Sequence, residues 1–147
     1  MIENPTGTAI FWPMIAHVLI VYIVYFLMSA RRIRAVQDGR VAVQQYKMNR
    51  YGDEPEEAFI TRANIANQFE LPVLFHVVCL ALYVTGAVGI LAVTIGWLFV
   101  LARAAHAVVH LTINRVVLRR RAFIGSFLAT GLLWLLLALQ LVGIDSY

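Results

Sequence analysis

Apolar positions in this chain fall into four long blocks, with polar and charged positions gathered between them. The blocks cover residues about 9–30, 65–86, 91–117 and 122–143, and each reaches the roughly 20 residues that a helix needs to cross a bilayer. In lipid every backbone N–H and C=O must be satisfied within the segment, so these runs predict helices. Gly86 and Gly89 break the helix between the second and third blocks, and a short basic junction separates the third from the fourth. The pattern predicts an all-α, up-down membrane four-helix bundle. Residues 31–64 differ: charges of both signs alternate there, which predicts a water-exposed, partly helical loop with a turn at Tyr51, Gly52, Asp53, Glu54 and Pro55. Since spans and connectors use up the chain, residues 1–147 read as a single membrane domain.

The polar positions inside the apolar blocks are the informative exceptions. An ionisable side chain at the centre of a spanning helix costs about 2.5–3.5 kcal/mol on the insertion scale, so each one needs a partner or a wet cavity. The second span carries Asn67, Glu70 and His76, the third Arg103, His106 and His110, and the first His17. Arg103, His106, His110 and Asn114 follow a spacing that stacks them on one face of a helix. Asn67 and Glu70, three apart, share a face of the second span. Antiparallel packing of the two spans then predicts a polar seam with Glu70 within reach of Arg103. Such a seam serves either to lock helix register or to receive a ligand. Arg115 and Arg119, four apart, extend the stripe towards the basic end of the bundle, and Arg119, Arg120 and Arg121 also suit anchoring at the interface. His17 and His76 show no companion in the pattern and read as packed core histidines. Gly125, Ala129 and Thr130 offer small residues for close helix approach.

Composition fits this reading. Of 147 residues 61% are hydrophobic and 14% charged, with a mean hydropathy of +0.78, which excludes an ordinary soluble domain. The first block, AIFWPMIAHVLIVYIVYFLMSA, has no basic residue ahead of it and reads as a retained span rather than a signal peptide. The single cysteine, Cys79, excludes an intrachain disulfide and reads as a packing residue. Arg31, Arg32, Arg34, Arg40, Lys47, Arg50 and Arg62 lie in the long loop, and Arg115 with Arg119 to Arg121 lies at the junction of spans three and four. The positive-inside rule makes that side cytoplasmic and puts the termini, with Glu3 and Asp145, outside, as expected in a bacterial inner membrane. The +4 net charge therefore reports topology and an anion site. No soluble basic stripe with interleaved aromatics accompanies it, so no nucleic-acid partner is expected.

The spacing of His106 and His110 also admits a two-histidine metal site, and histidines on different spans admit haem ligation. Neither has a complete ligand set in the sequence, and no metal is expected.

These motifs resemble the MAPEG family, the small four-span membrane proteins of eicosanoid and glutathione metabolism, across nearly the whole chain. The family's second-span signature of an arginine, an asparagine and a glutamate ahead of a proline is similar to Arg62, Asn67, Glu70 and Pro72. ARAAHAVVHLTINRVVLRR resembles its third-span stretch, and SARR the basic end of its first span. His110 stands where many members have tyrosine, and Arg62 is five residues before Asn67 where related sequences generally have four.

The resemblance implies a homotrimer with glutathione as co-substrate between subunits, and a transferase or peroxidase acting on lipophilic electrophiles. It implies that Glu70 holds the ammonium, Asn67 the peptide, and Arg31 or Arg32 with Arg62 and Arg115 the carboxylates. Arg103, His106 and His110 would line the pocket, and Arg119, with Arg120 next, would face the thiol. Membrane lipids are the other expected partner. A non-catalytic lipid-binding or scaffold protein of the same family is the alternative.

Overall fold

The computed structural model describes residues 7–48 and 54–143. Arg50, the first three residues of the expected turn, Tyr51, Gly52 and Asp53, and the terminal Glu3 and Asp145 lie outside the described residues. A single 3-10 turn, Gly7–Ile10, leads into α1 (Phe11–Gln37); α2 (Val43–Lys47), α3 (Glu56–Gln68), α4 (Leu71–Val84), α5 (Ile90–Leu111) and α6 (Val116–Leu141) follow. Among the described residues there is no strand. Four helical stretches among the described residues are long and apolar enough to span a membrane: Gly7–Gln37, Glu56–Val84, Ile90–Leu111 and Val116–Leu141.

The helices depart from the expected boundaries for identifiable reasons. The first continues past residue 30 to Gln37, through a basic stretch of good helix formers, and stops where Gly39 adopts φ +67°. The second begins at Glu56, inside the expected loop. Pro55 ends the extended approach, and Glu56 and Glu57 occupy the first turn, where acidic groups complement the helix dipole. This second helical stretch is not continuous: α3 ends at Gln68 and α4 starts at Leu71. Pro72, in the first turn of α4, has no N–H for the carbonyl of Gln68, and its ring would collide with that carbonyl in an unbroken helix.

The third span stops at Leu111 rather than near residue 117. Asn114 takes φ +43°, a left-handed conformation that asparagine tolerates better than most residues, and its N–H caps the carbonyl of Val109 at 2.7 Å. Arg115 consequently precedes α6 instead of extending α5, and the expected unbroken stripe from Arg103 to Arg119 is interrupted by a turn.

Close packing uses the small residues. Ser126, Ala129 and Thr130 are buried on α6, and a Cβ added to Gly125 would meet Ala102 of α5 at 3.6 Å. At Gly96 of α5 an added Cβ would lie 3.0 Å from Pro13 Cγ of α1, so that crossing depends on the missing side chain. The core joins Ile10, Phe75, Val78, Cys79, Leu82, Phe99 and Leu133, with Phe75 and Phe99 stacked at 3.8 Å. Cys79 is a buried packing residue, as read from the sequence.

Candidate functional site

The polar seam between the second and third spans exists, but different residues build it. Because α3 starts at Glu56, its inward face is the helical series Thr61, Asn64, Ile65 and Gln68, all buried. Asn64 and Gln68, not Asn67 and Glu70, supply the side chains that meet α5. Gln68 is the hub. Its Oε1 accepts from Arg103 Nη2 at 3.0 Å and from His17 Nε2–H at 3.2 Å, while its Nε2–H donates to Asn64 Oδ1 at 3.1 Å. Asn64 Nδ2–H in turn donates to His110 Nδ1 at 3.3 Å.

One donor fixes the rest of this chain. A guanidinium can only donate, so the Gln68 atom facing Arg103 is the oxygen, and His17 must present N–H to the same oxygen. With the His17 ring neutral, its Nδ1 is an acceptor, and His76 Nε2–H donates to it across 3.2 Å. His17 and His76 are thus each other's companions, which sequence spacing did not show because they lie on different helices.

The kink supplies a further contact. In an unbroken helix the Asn67 carbonyl would bond the N–H four residues on; at the break it accepts from Arg103 Nη2 at 2.9 Å instead. The Asn67 side chain turns back to the carbonyl of Ala63 at 3.1 Å. Glu70, the residue before α4, is exposed. It makes no hydrogen bond or close ion pair among the described residues; the expected Glu70–Arg103 pairing survives as a longer-range attraction between the two charges rather than as a direct contact. The residues that would have shared its face have been rotated by the break before Pro72.

Arg103 is fully enclosed, at 0% exposure. Only its Nη2 is used: Nε and Nη1 have no partner, and neither has the buried Nδ1 of His106. His106 and His110 stand edge to face, ring centroids 5.7 Å apart. Among the described residues no group of three or more His, Cys, Asp or Glu side chains converges as a metal site requires. Buried, unpartnered polar atoms in an apolar bundle are costly, about 1–3 kcal/mol each and more for a charged group.

The arginines gather at the same end of the bundle. Arg31 Nη1 donates to Thr61 Oγ1 at 2.6 Å and to the Glu57 carbonyl at 2.8 Å, and its Nη2 reaches the Leu111 carbonyl at the end of α5 at 3.3 Å. That last contact places the expected basic loop and the α5–α6 junction on one side. Arg32 and Arg62 clasp Glu54 from two directions, Nε to carboxylate oxygens at 3.0 and 2.9 Å. The Glu54 side chain is only 1% exposed. The Arg32 guanidinium also lies 5.0 Å from the Tyr46 ring centroid, and burial pushes the Tyr46 phenol above its ordinary pKa. Arg119 is half-buried and donates to Asn114 Oδ1 at 2.9 Å, whereas Arg115, Arg120 and Arg121 are exposed.

Sequence reasoning therefore missed Glu54, Thr61, Asn64 and Gln68. The signal for the last three was present as a helical repeat beginning at Ala58, concealed by the charged residues around it. Searches of curated proteins and of solved structures found no match. The MAPEG family model matches residues 10–139, from the start of the first span almost to the end of the last. With its four spanning helices and its arginine-lined end, this chain belongs to the MAPEG family.

Proposed function

We propose that this protein is a glutathione-dependent membrane transferase or peroxidase that acts on lipophilic electrophiles by activating the glutathione thiol. The observation that carries the reading is two incompletely satisfied charges at the kink: an exposed Glu70 that makes no direct hydrogen bond or close ion pair among the described residues, and an enclosed Arg103 with two unused donor nitrogens beside His106. An ionisable group at membrane depth needs a counterpart, and glutathione brings an ammonium, two carboxylates and a thiol. On this reading Glu70 holds the ammonium, Asn67 contacts the peptide, and Arg103, His106 and His110 line the pocket. Arg31, Arg32, Arg62 and Arg115 draw the carboxylates, which compete with Glu54 for Arg32 and Arg62.

Arg119, with Arg120 next to it, stands over the sulfur. A free thiol has a pKa of about 8.5 and is mostly protonated near neutrality, while a guanidinium stays charged and stabilises the thiolate. The thiolate attacks an electrophilic carbon, forming an S–C bond as the leaving group departs with its electron pair. With a lipid hydroperoxide it attacks oxygen instead, and a second glutathione completes reduction to the alcohol, water and glutathione disulfide. The site lies between subunits of a homotrimer, with the basic end in the cytoplasm of a bacterial inner membrane and the lipophilic partner entering from the bilayer.

Isothermal calorimetry on the purified protein in detergent tests this. Glutathione is expected to bind and to develop thiolate absorbance, and Arg119→Ala should weaken that absorbance. A folded protein that binds no glutathione at millimolar concentration overturns the proposal.

A further inference from the structure

The buried network dictates where the proton sits at its far end. Arg103 can only donate, so it holds the oxygen of Gln68 and leaves the amide nitrogen of Gln68 to face Asn64. That nitrogen donates to Asn64 Oδ1, which turns the Asn64 N–H towards His110. The atom it meets at 3.3 Å, His110 Nδ1, must therefore be a bare acceptor. A neutral imidazole with its lone pair on Nδ1 carries its single proton on Nε2. His110 is only 5% exposed, yet its Nε2–H has no acceptor among the described residues. Unlike Nδ1 of His106, that atom is not sealed off.

We infer that Gln68 and Asn64 are positioning residues that fix His110 as a hydrogen-bond donor to the bound ligand, its Nε2–H meeting an anionic acceptor, a carboxylate or a thiolate. The identity of the ligand rests on the glutathione reading; the position of the proton rests on the hydrogen-bond chain alone. A histidine held in this way can stand where many members of the family carry tyrosine, because both side chains then offer a donor. An untethered imidazole could present either a donor or an acceptor, and the acceptor form would repel an anionic oxygen or sulfur. Loss of one hydrogen bond to a charged acceptor weakens binding by about tenfold or more.

Gln68→Glu tests this, since it keeps the side-chain shape and the bond to Arg103 but replaces the donating amide with a second acceptor oxygen. Asn64 must then turn its N–H to the new carboxylate and its oxygen to His110, which moves the His110 proton to Nδ1 from two hydrogen bonds away. Nitrogen NMR of the full-length protein in lipid nanodiscs, with isotope-labelled histidines and His110→Tyr to identify the His110 signals, reads the tautomer; calorimetry reads glutathione affinity. Wild-type His110 is expected to show a bare Nδ1 and a protonated Nε2. Gln68→Glu should show the reverse and bind glutathione about tenfold or more weakly. In the His110→Tyr background, where the hydroxyl rotates to donate, Gln68→Glu should leave the affinity within about twofold. A proton on Nδ1 of wild-type His110, an unmoved proton in Gln68→Glu, or an equal loss of affinity in both backgrounds overturns the proposal. If no variant binds glutathione, the function proposed above fails, and the NMR result alone then upholds or overturns the fixed tautomer.

Discussion

Replacing Gln68 by leucine keeps the side-chain bulk but removes the hub of the buried network. His17 Nε2–H loses its acceptor and Asn64 Oδ1 loses its donor, while Arg103 Nη2 retains the Asn67 carbonyl. A buried polar group left without a partner costs about 1–3 kcal/mol, and interhelical side-chain hydrogen bonds in membrane bundles average about 0.6 kcal/mol. Two orphaned groups at the lower end of the first range, plus a weakened Arg103 contact, give a loss of about 2–4 kcal/mol. At about 2–4 °C per kcal/mol for a chain of this size, the thermal midpoint should fall by roughly 5–15 °C. Glu70→Gln is the matched comparison: Glu70 is exposed and bonded to nothing among the described residues, so its loss should stay within about 0.5 kcal/mol. Thermal unfolding in a single detergent, followed by intrinsic fluorescence, measures both. If Glu70→Gln destabilises as much as Gln68→Leu, the seam is built around Glu70 and the assignment to Asn64 and Gln68 fails.

Gly96→Val should weaken the α1–α5 crossing by about 1–3 kcal/mol, since its Cβ would lie 3.0 Å from Pro13 Cγ; a thermal midpoint unchanged from wild type would contradict that contact. Glu54→Ala removes the carboxylate that Arg32 and Arg62 share and should lower stability by about 1–3 kcal/mol, read as a lower thermal midpoint; an unchanged midpoint would contradict a clasp that joins α1 to α3. Arg119→Ala should raise the apparent pKa of bound glutathione thiol towards about 8.5 and shift the pH profile of conjugation upwards, whereas Arg120→Ala, at an exposed position, should move it less. Equal shifts in the two variants would show that half-burial of Arg119 does not direct it to the sulfur.

Much of the fold was legible because lipid imposes a simple rule: apolar blocks of spanning length must be helices, and basic residues collect at one end. The buried face of α5 was legible too, since Arg103, His106 and His110 lie on a regular helix that nothing interrupts. The second span was not, for two local reasons. Helix α3 opens in a charged stretch that reads as a loop, so the polar but buried positions Asn64 and Gln68 fell in its last turns unseen. Pro72 then broke the helix between Gln68 and Leu71, carrying Glu70 off the face it shares with Asn67 in an ideal helix. The end of α5 was equally silent, because Thr112, Ile113 and Asn114 contain neither glycine nor proline; only the left-handed conformation of Asn114 reveals the turn. The His17–His76 contact joins helices distant in sequence, where periodicity within one helix carries no information.

Calorimetric titration with glutathione and with its desamino analogue, which lacks only the ammonium, tests most directly whether the charges at the kink receive this ligand. Wild-type protein should bind glutathione at least tenfold more tightly than the analogue, as expected for a charge-assisted hydrogen bond of about 1.5–3 kcal/mol, and Glu70→Gln should reduce that preference to near one. Equal affinity of the wild-type protein for the two ligands, or a preference that survives Glu70→Gln, would contradict the assignment.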